Sequence, residues 1–129
     1  MGTSPGVASS DTVFVTLMSE QLRQGDDLQK AGVKFDSGKT RYELLPPEGV
    51  YAVADVLTFG AKKYSDRNWE LGMDWSRPFG ACLRHLFAWQ RGEDNDPETG
   101  KSHLWHAATN LFFLITYTAR GKGRDDRMG

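Results

Sequence analysis

The 129-residue chain carries a single cysteine, Cys82. An internal disulfide is therefore excluded, and one thiol without a signal peptide fits a reducing cytoplasm. Cys82 sits in an apolar helical pattern with no histidine at an activating spacing, which reads as a buried structural thiol. No apolar run reaches the roughly 18–20 residues a membrane span needs. A charge imbalance is missing too. The formal net charge is -1, so no global field draws the chain to nucleic acid or to an anionic membrane. Any bound anion must be held by a local cluster. Named metal and phosphate motifs are also lacking. No HExxH pair occurs, and no histidine is followed directly by aspartate. The GKT at residues 38–40 is not a P-loop, because the position five before Gly38 is Val33. An EF-hand starting at Asp94 would need glutamate at its twelfth position, which is Trp105.

What is present is an ordinary globular composition, with 39% hydrophobic and 26% charged residues. Its length suits one domain, expected over residues 11–120. Residues 1–10 are small and polar and read as a disordered tail. Residues 12–18, TVFVTLM, fit an edge strand or a helix start equally well. Residues 19–32 have weak helical character, broken by Gly25 and ended by Gly32. A basic loop follows, with Lys34, Lys39 and Arg41 around Gly38. It is either a solvated surface loop or a phosphate arm.

Three helices are expected after that. The first starts near Pro46 and Pro47, with Val50, Val53, Ala54, Leu57, Ala61 and Tyr64 on one face. Gly60 inside it suggests a close helix contact. The second starts with Ser76 as cap and Pro78 in its first turn, and Gly92 lies just past its end. Phe79, Cys82, Leu83, Leu86 and Gln90 trace one of its faces; Ala81, His85 and Ala88 trace another. The third runs from about Ser102 to before Gly121 and is apolar almost all round, as in a core or an oligomer interface. Residues 121–129 form a charged tail, expected to be loose.

All three histidines, His85, His103 and His106, fall within residues 84–110. An acidic loop with Glu93, Asp94, Asp96 and Glu98 lies between them. Histidines and carboxylates are metal ligands and the common acids and bases of hydrolysis. His103, His106, Asn110 and Tyr117 draw a polar stripe down the third helix. Such buried polar groups either bond one another to fix the packing or build a site. The acidic loop is either a solvated turn or a hard-cation site for Mg2+ or Mn2+, with Glu93 and Asp96 as ligands and room for one imidazole beside them. Arg84, Lys39, Arg41, Lys62 and Lys63 are available for phosphate. Trp69 or Tyr64 could stack on a base, and either fits the core equally well.

The runs KFDSGKTRYELLP, FGAKKYSDRNW and RHLFAWQRGEDNDPETGKSHLWHAATNLFFL together resemble the phage dATP/dGTP diphosphohydrolase family, with a likeness to MazG-like enzymes. The resemblance covers residues 33–118. It implies an all-α MazG-like helical bundle completed by oligomerisation, as a dimer or tetramer. It implies hydrolysis of (d)GTP to (d)GMP and pyrophosphate with Mg2+ or Mn2+ in the host cell cytoplasm, the dGMP feeding 2-aminoadenine nucleotide synthesis. It also implies roles for particular residues. Glu93, Asp96 and His103 would be catalytic, and Glu93, Asp96 and His85 would hold metal. Lys39, Arg41, Lys63, Arg84, His106 and Asn110 would bind substrate. The chain departs from the broader MazG-like pattern in having no EExxE motif and a single ExxD spacing, Glu93 to Asp96. Three rival readings are a triphosphohydrolase that releases tripolyphosphate, a non-catalytic helical oligomer that binds nucleotide or metal, and a structural phage protein.

Overall fold

The computed structural model describes residues 31–129. The readings made for residues 1–30, tail and strand-or-helix alike, lie outside them. The chain divides into two compact units, Met1–Leu44 and Leu45–Gly129. In the described part of the first, Gly38 takes φ 80° in a turn closed from the Lys39 N–H to the Asp36 carbonyl at 3.2 Å. One 3-10 turn follows, Tyr42–Leu44.

The second unit holds three α-helices: α1 (Pro47–Lys63), α2 (Ser76–Gln90) and α3 (His103–Arg120). A 3-10 turn, Asn68–Leu71, lies between α1 and α2. Among the described residues no strand forms, only two isolated bridges. The all-α expectation holds. Helix α2 packs most extensively on α3, and α1 packs on α3 less.

Local chemistry explains the helix ends. Pro46 is extended and Pro47 opens α1, where its missing N–H costs nothing. Ser102 caps α3, its side chain accepting the Leu104 N–H at 3.1 Å. Gly121 closes α3 in the left-handed region, φ 65°, which an L side chain resists. The start of α2 departs from expectation. Ser76 is the first helical residue and does not cap it. The cap comes from Asp126, fifty residues on. Its carboxylate accepts the Ser76 N–H at 2.9 Å and the Ser76 hydroxyl at 2.5 Å.

Asp126 belongs to the tail expected to be loose, and that expectation is corrected. The Trp75 N–H donates to the Arg124 carbonyl and the Trp75 indole to that of Lys122. Arg124 grips Asp74 through two hydrogen bonds of 3.0 Å. The two backbones are so close that a Cβ on Gly123 would run into the Met73 carbonyl. Charge alone suggested a solvated tail, whereas here Arg124 and Asp126 find partners in Asp74 and Ser76, and Arg127 lies over the Trp75 ring.

Packing also reassigns helix faces. In α2 the buried positions are Pro78, Cys82 and Ala88, with Ala81 and His85 half-buried. Phe79 and Leu86 point outward. The small-residue face is the inner one because small side chains let α2 approach α3 closely. In α1, Ala52 and Val53 are buried while Val50 and Tyr64 are exposed. A Cβ on Gly60 would meet nothing within 4 Å, so the expected close helix contact is not there.

Candidate active site

The acidic loop joins α2 to α3, and its turns bring carboxylates and imidazoles together. Gly92 and Gly100 take φ 97° and 75°, conformations glycine adopts at little cost. Between them the chain doubles back. The Asp96 N–H donates to the Lys101 carbonyl at 2.8 Å, and the Gly100 N–H to the Asp96 carbonyl at 2.7 Å. One Asp96 carboxylate oxygen accepts the Glu98 N–H at 3.0 Å. Lys101 anchors the loop to α1 by a half-buried ion pair with Asp55 at 2.5 Å.

The three histidines converge. His85, on α2, lies flat against His106 of α3, with ring centroids 4.7 Å apart and planes 13° from parallel. Its Nδ1 is 2.8 Å from Nδ1 of His103. Nε2 of His103 is 2.7 Å from a Glu93 carboxylate oxygen. An ionised Glu93 carboxylate only accepts, so His103 donates to it from Nε2. The proton between the two Nδ1 atoms belongs to one ring or the other according to tautomer. With that proton on His85, the lone pair of its Nε2 is open to a cation. Metal-binding histidines are commonly oriented in this way through the other ring nitrogen.

His106 places Nε2 2.7 Å from the Thr99 hydroxyl and 3.7 Å from the Asp96 carboxylate. Burial holds His85 below its ordinary imidazole range, reinforced by His106, His103 and Arg84 and opposed by Asp96. Burial lowers His106 as well, with Asp96 opposing. Both shifts favour the neutral imidazole, the form that ligates metals. Single donor atoms of His85, Asp96 and His106 lie within 4.8 Å of one another. Two imidazoles and a carboxylate at that spacing are a fitting donor set for a divalent ion.

Beside this cluster a cleft of about 1030 Å³ opens between α1, the Asn68–Leu71 turn and α3. Asp96, His106, Asn110, Lys63, Arg77 and Trp69 are on its walls. Trp69 presses one face on Phe113, ring centroids 4.6 Å apart. A second hollow of about 480 Å³ is lined by Arg84 and shares Arg77 and Asn110 with the first.

The structure thus brings together His85, Asp96, His103, His106, Asn110 and Lys63, with Arg84 at the neighbouring hollow. Glu93 falls outside the donor cluster and bonds to His103 instead. His106, read as a substrate contact, stands among the donors. Lys39 and Arg41 belong to the first unit, where Arg41 pairs with Glu43 at 2.8 Å. Tyr117, the last residue of the polar stripe, is fully buried and donates to the Trp69 carbonyl at 2.5 Å, so its role is packing. Sequence reading passed over Arg77 and Thr99. Arg77 did leave a signal, being a cation in the first turn of a helix, the end at which the dipole disfavours it.

A helical unit with such donors beside a cleft edged by cations has groups that could hold a metal ion and an anion together. The comparisons narrow this. Residues 29–127 match the family described as dATP/dGTP diphosphohydrolase, N-terminal. A dATP/dGTP diphosphohydrolase of Salmonella phage PMBT28 is 38% identical over 96 residues, 74% of this chain. That stretch is 33% of the relative, so the chain spans about a third of its length. No solved structure matches. The chain belongs to the dATP/dGTP diphosphohydrolase N-terminal family.

Proposed function

We propose that this domain hydrolyses purine deoxynucleoside triphosphates, dGTP foremost, to the monophosphate and pyrophosphate. One observation supports the reading above the rest: the donor atoms of His85, Asp96 and His106 gather within 4.8 Å beside a cleft that also holds Lys63 and Arg77. A metal site next to cations suits a polyphosphate, whose charge neither could neutralise alone.

His85, Asp96 and His106 would hold the ion. A bound divalent ion supplies charge neutralisation for the phosphates and acidifies a water. Two imidazoles make the set softer than an all-oxygen site, which favours Mn2+ over Mg2+. His103 fixes the tautomer of His85, and Glu93 fixes His103. Asn110 and Lys63 face the phosphates, and Arg84 faces the adjoining hollow. Trp69 gives the base an apolar wall. Water adds to the α phosphorus, and the bond from that phosphorus to the α–β bridging oxygen breaks. The water proton passes to solvent, and pyrophosphate departs with the electron pair.

The reading extends to assembly and supply. Leu104, Leu111, Phe112 and Ile115 form an exposed apolar stripe on α3, a surface suited to a second copy in a dimer or tetramer. The dGMP released would serve 2-aminoadenine nucleotide synthesis in a phage that makes such nucleotides.

The test is incubation with each nucleoside triphosphate and Mn2+ or Mg2+, followed by ion-exchange separation of the products. Deoxynucleoside monophosphate and pyrophosphate are expected, fastest with dGTP and Mn2+. Nucleoside with tripolyphosphate would replace this reading by a triphosphohydrolase. Binding without turnover would make the domain a nucleotide-binding module.

A further inference from the structure

Arg77 is oddly placed for a structural residue. It stands in the first turn of α2, where a cation opposes the helix dipole, and that turn carries no acidic residue. It lines both the large cleft and the adjoining hollow. Among the described residues its guanidinium has no ion pair. Its backbone N–H bonds to the Asp74 carbonyl at 3.0 Å, and its charge is felt at the Asp74 carboxyl. That carboxylate is taken, because Arg124 holds both Asp74 oxygens at 3.0 Å. Arg124 lowers the Asp74 carboxyl through these bonds, and Arg77 lowers it further by charge alone.

We infer that Arg77 is a polyphosphate contact of the cleft, kept available because Arg124 of the C-terminal strap occupies Asp74. Three residues along, Gly80 leaves room nearby: a Cβ there would stand 3.2 Å from the Arg84 guanidinium. Arg84 follows Arg77 by seven positions, about two helical turns, so the two cations share one side of α2. Planar guanidinium groups suit the paired oxygens of a phosphate. The strap also fixes the backbone beneath Arg77 through Asp126, whose carboxylate caps Ser76. Arg124 and Asp126 are therefore positioning residues for a group they do not touch. The inference rests on the nucleotide reading above.

Inorganic pyrophosphate with Mn2+ is the probe, used on the full chain and followed by calorimetry and as an inhibitor of turnover. Arg77→Gln should weaken pyrophosphate binding by about tenfold or more, the loss of one charge-assisted contact. KM for dGTP should rise while circular dichroism stays native. Arg124→Gln should weaken pyrophosphate in the same direction, because Asp74 is then free to capture Arg77. Adding Asp74→Asn in that background should restore binding. Loss of packing in the strap would not be repaired by a second substitution, so restoration separates the two explanations. Unchanged pyrophosphate affinity in Arg77→Gln overturns the inference, as does an Arg124→Gln, Asp74→Asn pair no better than Arg124→Gln alone. If the wild-type chain hydrolyses dGTP while Arg77→Gln matches it, this inference fails and the proposed function stands. If the wild-type chain neither hydrolyses nucleotides nor binds pyrophosphate, both fall.

Discussion

His103 shows how much one buried side chain can decide. It is 5% exposed, and both ring nitrogens are engaged, one by His85 and one by Glu93. A polar group buried so deeply needs such partners. Its place at the start of α3 was legible from sequence, but its partners were not, since they come from α2 and from the loop. The places of Glu93 and Asp96 differ for the same reason, one against His103 and the other in the donor cluster. Replacing a donor in the cluster, by Asp96→Asn or His85→Ala, should abolish Mn2+ binding measured by calorimetry. Glu93→Gln should weaken it by about tenfold to a hundredfold, the usual cost of removing a group that orients a ligand. Equal losses in all three variants would return Glu93 to the ligand set. Tyr117→Phe tests the other end of the stripe. It leaves the Trp69 carbonyl without its donor and should lower stability by about 1–3 kcal/mol in chemical denaturation, with Mn2+ affinity unchanged.

At the scale of elements, the three helices follow from local signals: proline at the start of α1, serine before α3 and glycine after it. Ser102→Ala should cost about 1 kcal/mol in denaturant unfolding, the usual value for a lost cap. Helix α2 differs because its cap arrives from the far end of the chain. No periodicity or spacing could reveal that Asp126 serves Ser76. Hydrogen bonds from Ser76 hold the Asp126 carboxyl below its ordinary value of 3.8. A carboxyl lowered on folding stabilises fully above its unfolded pKa, and that contribution is lost as pH falls through the folded value. Asp126→Asn should therefore melt below wild type at neutral pH, and the gap should close as acid takes the pH below 3.8. A gap that persists in acid would show that the Asp126 charge does not hold the strap.

For the whole molecule, the open question is what covers α3. A helix apolar on most sides was expected to lie in a core or at an interface, and one side of it does lie in the core. Ala107, Thr109 and Tyr117 are buried, while Phe112 and Ile115 are 52% and 64% exposed. Among the described residues no helix is long and apolar enough to cross a membrane. Under the assembly proposed above, Phe112→Glu with Ile115→Glu should shift the chain to a smaller species in analytical ultracentrifugation. An unchanged mass would remove this stripe from any interface.

The sequence by itself determined the helices of the second unit, the loop that would carry carboxylates and the family to which the chain belongs, because caps, periodicity and motif order act over a few residues. Tertiary structure decided which side chains meet. It paired Glu93 with His103, set His106 beside Asp96, turned the small face of α2 inward and tied Asp126 to Ser76. Those outcomes depend on how helices pack and where loops return, and contacts across tens of residues leave no local trace.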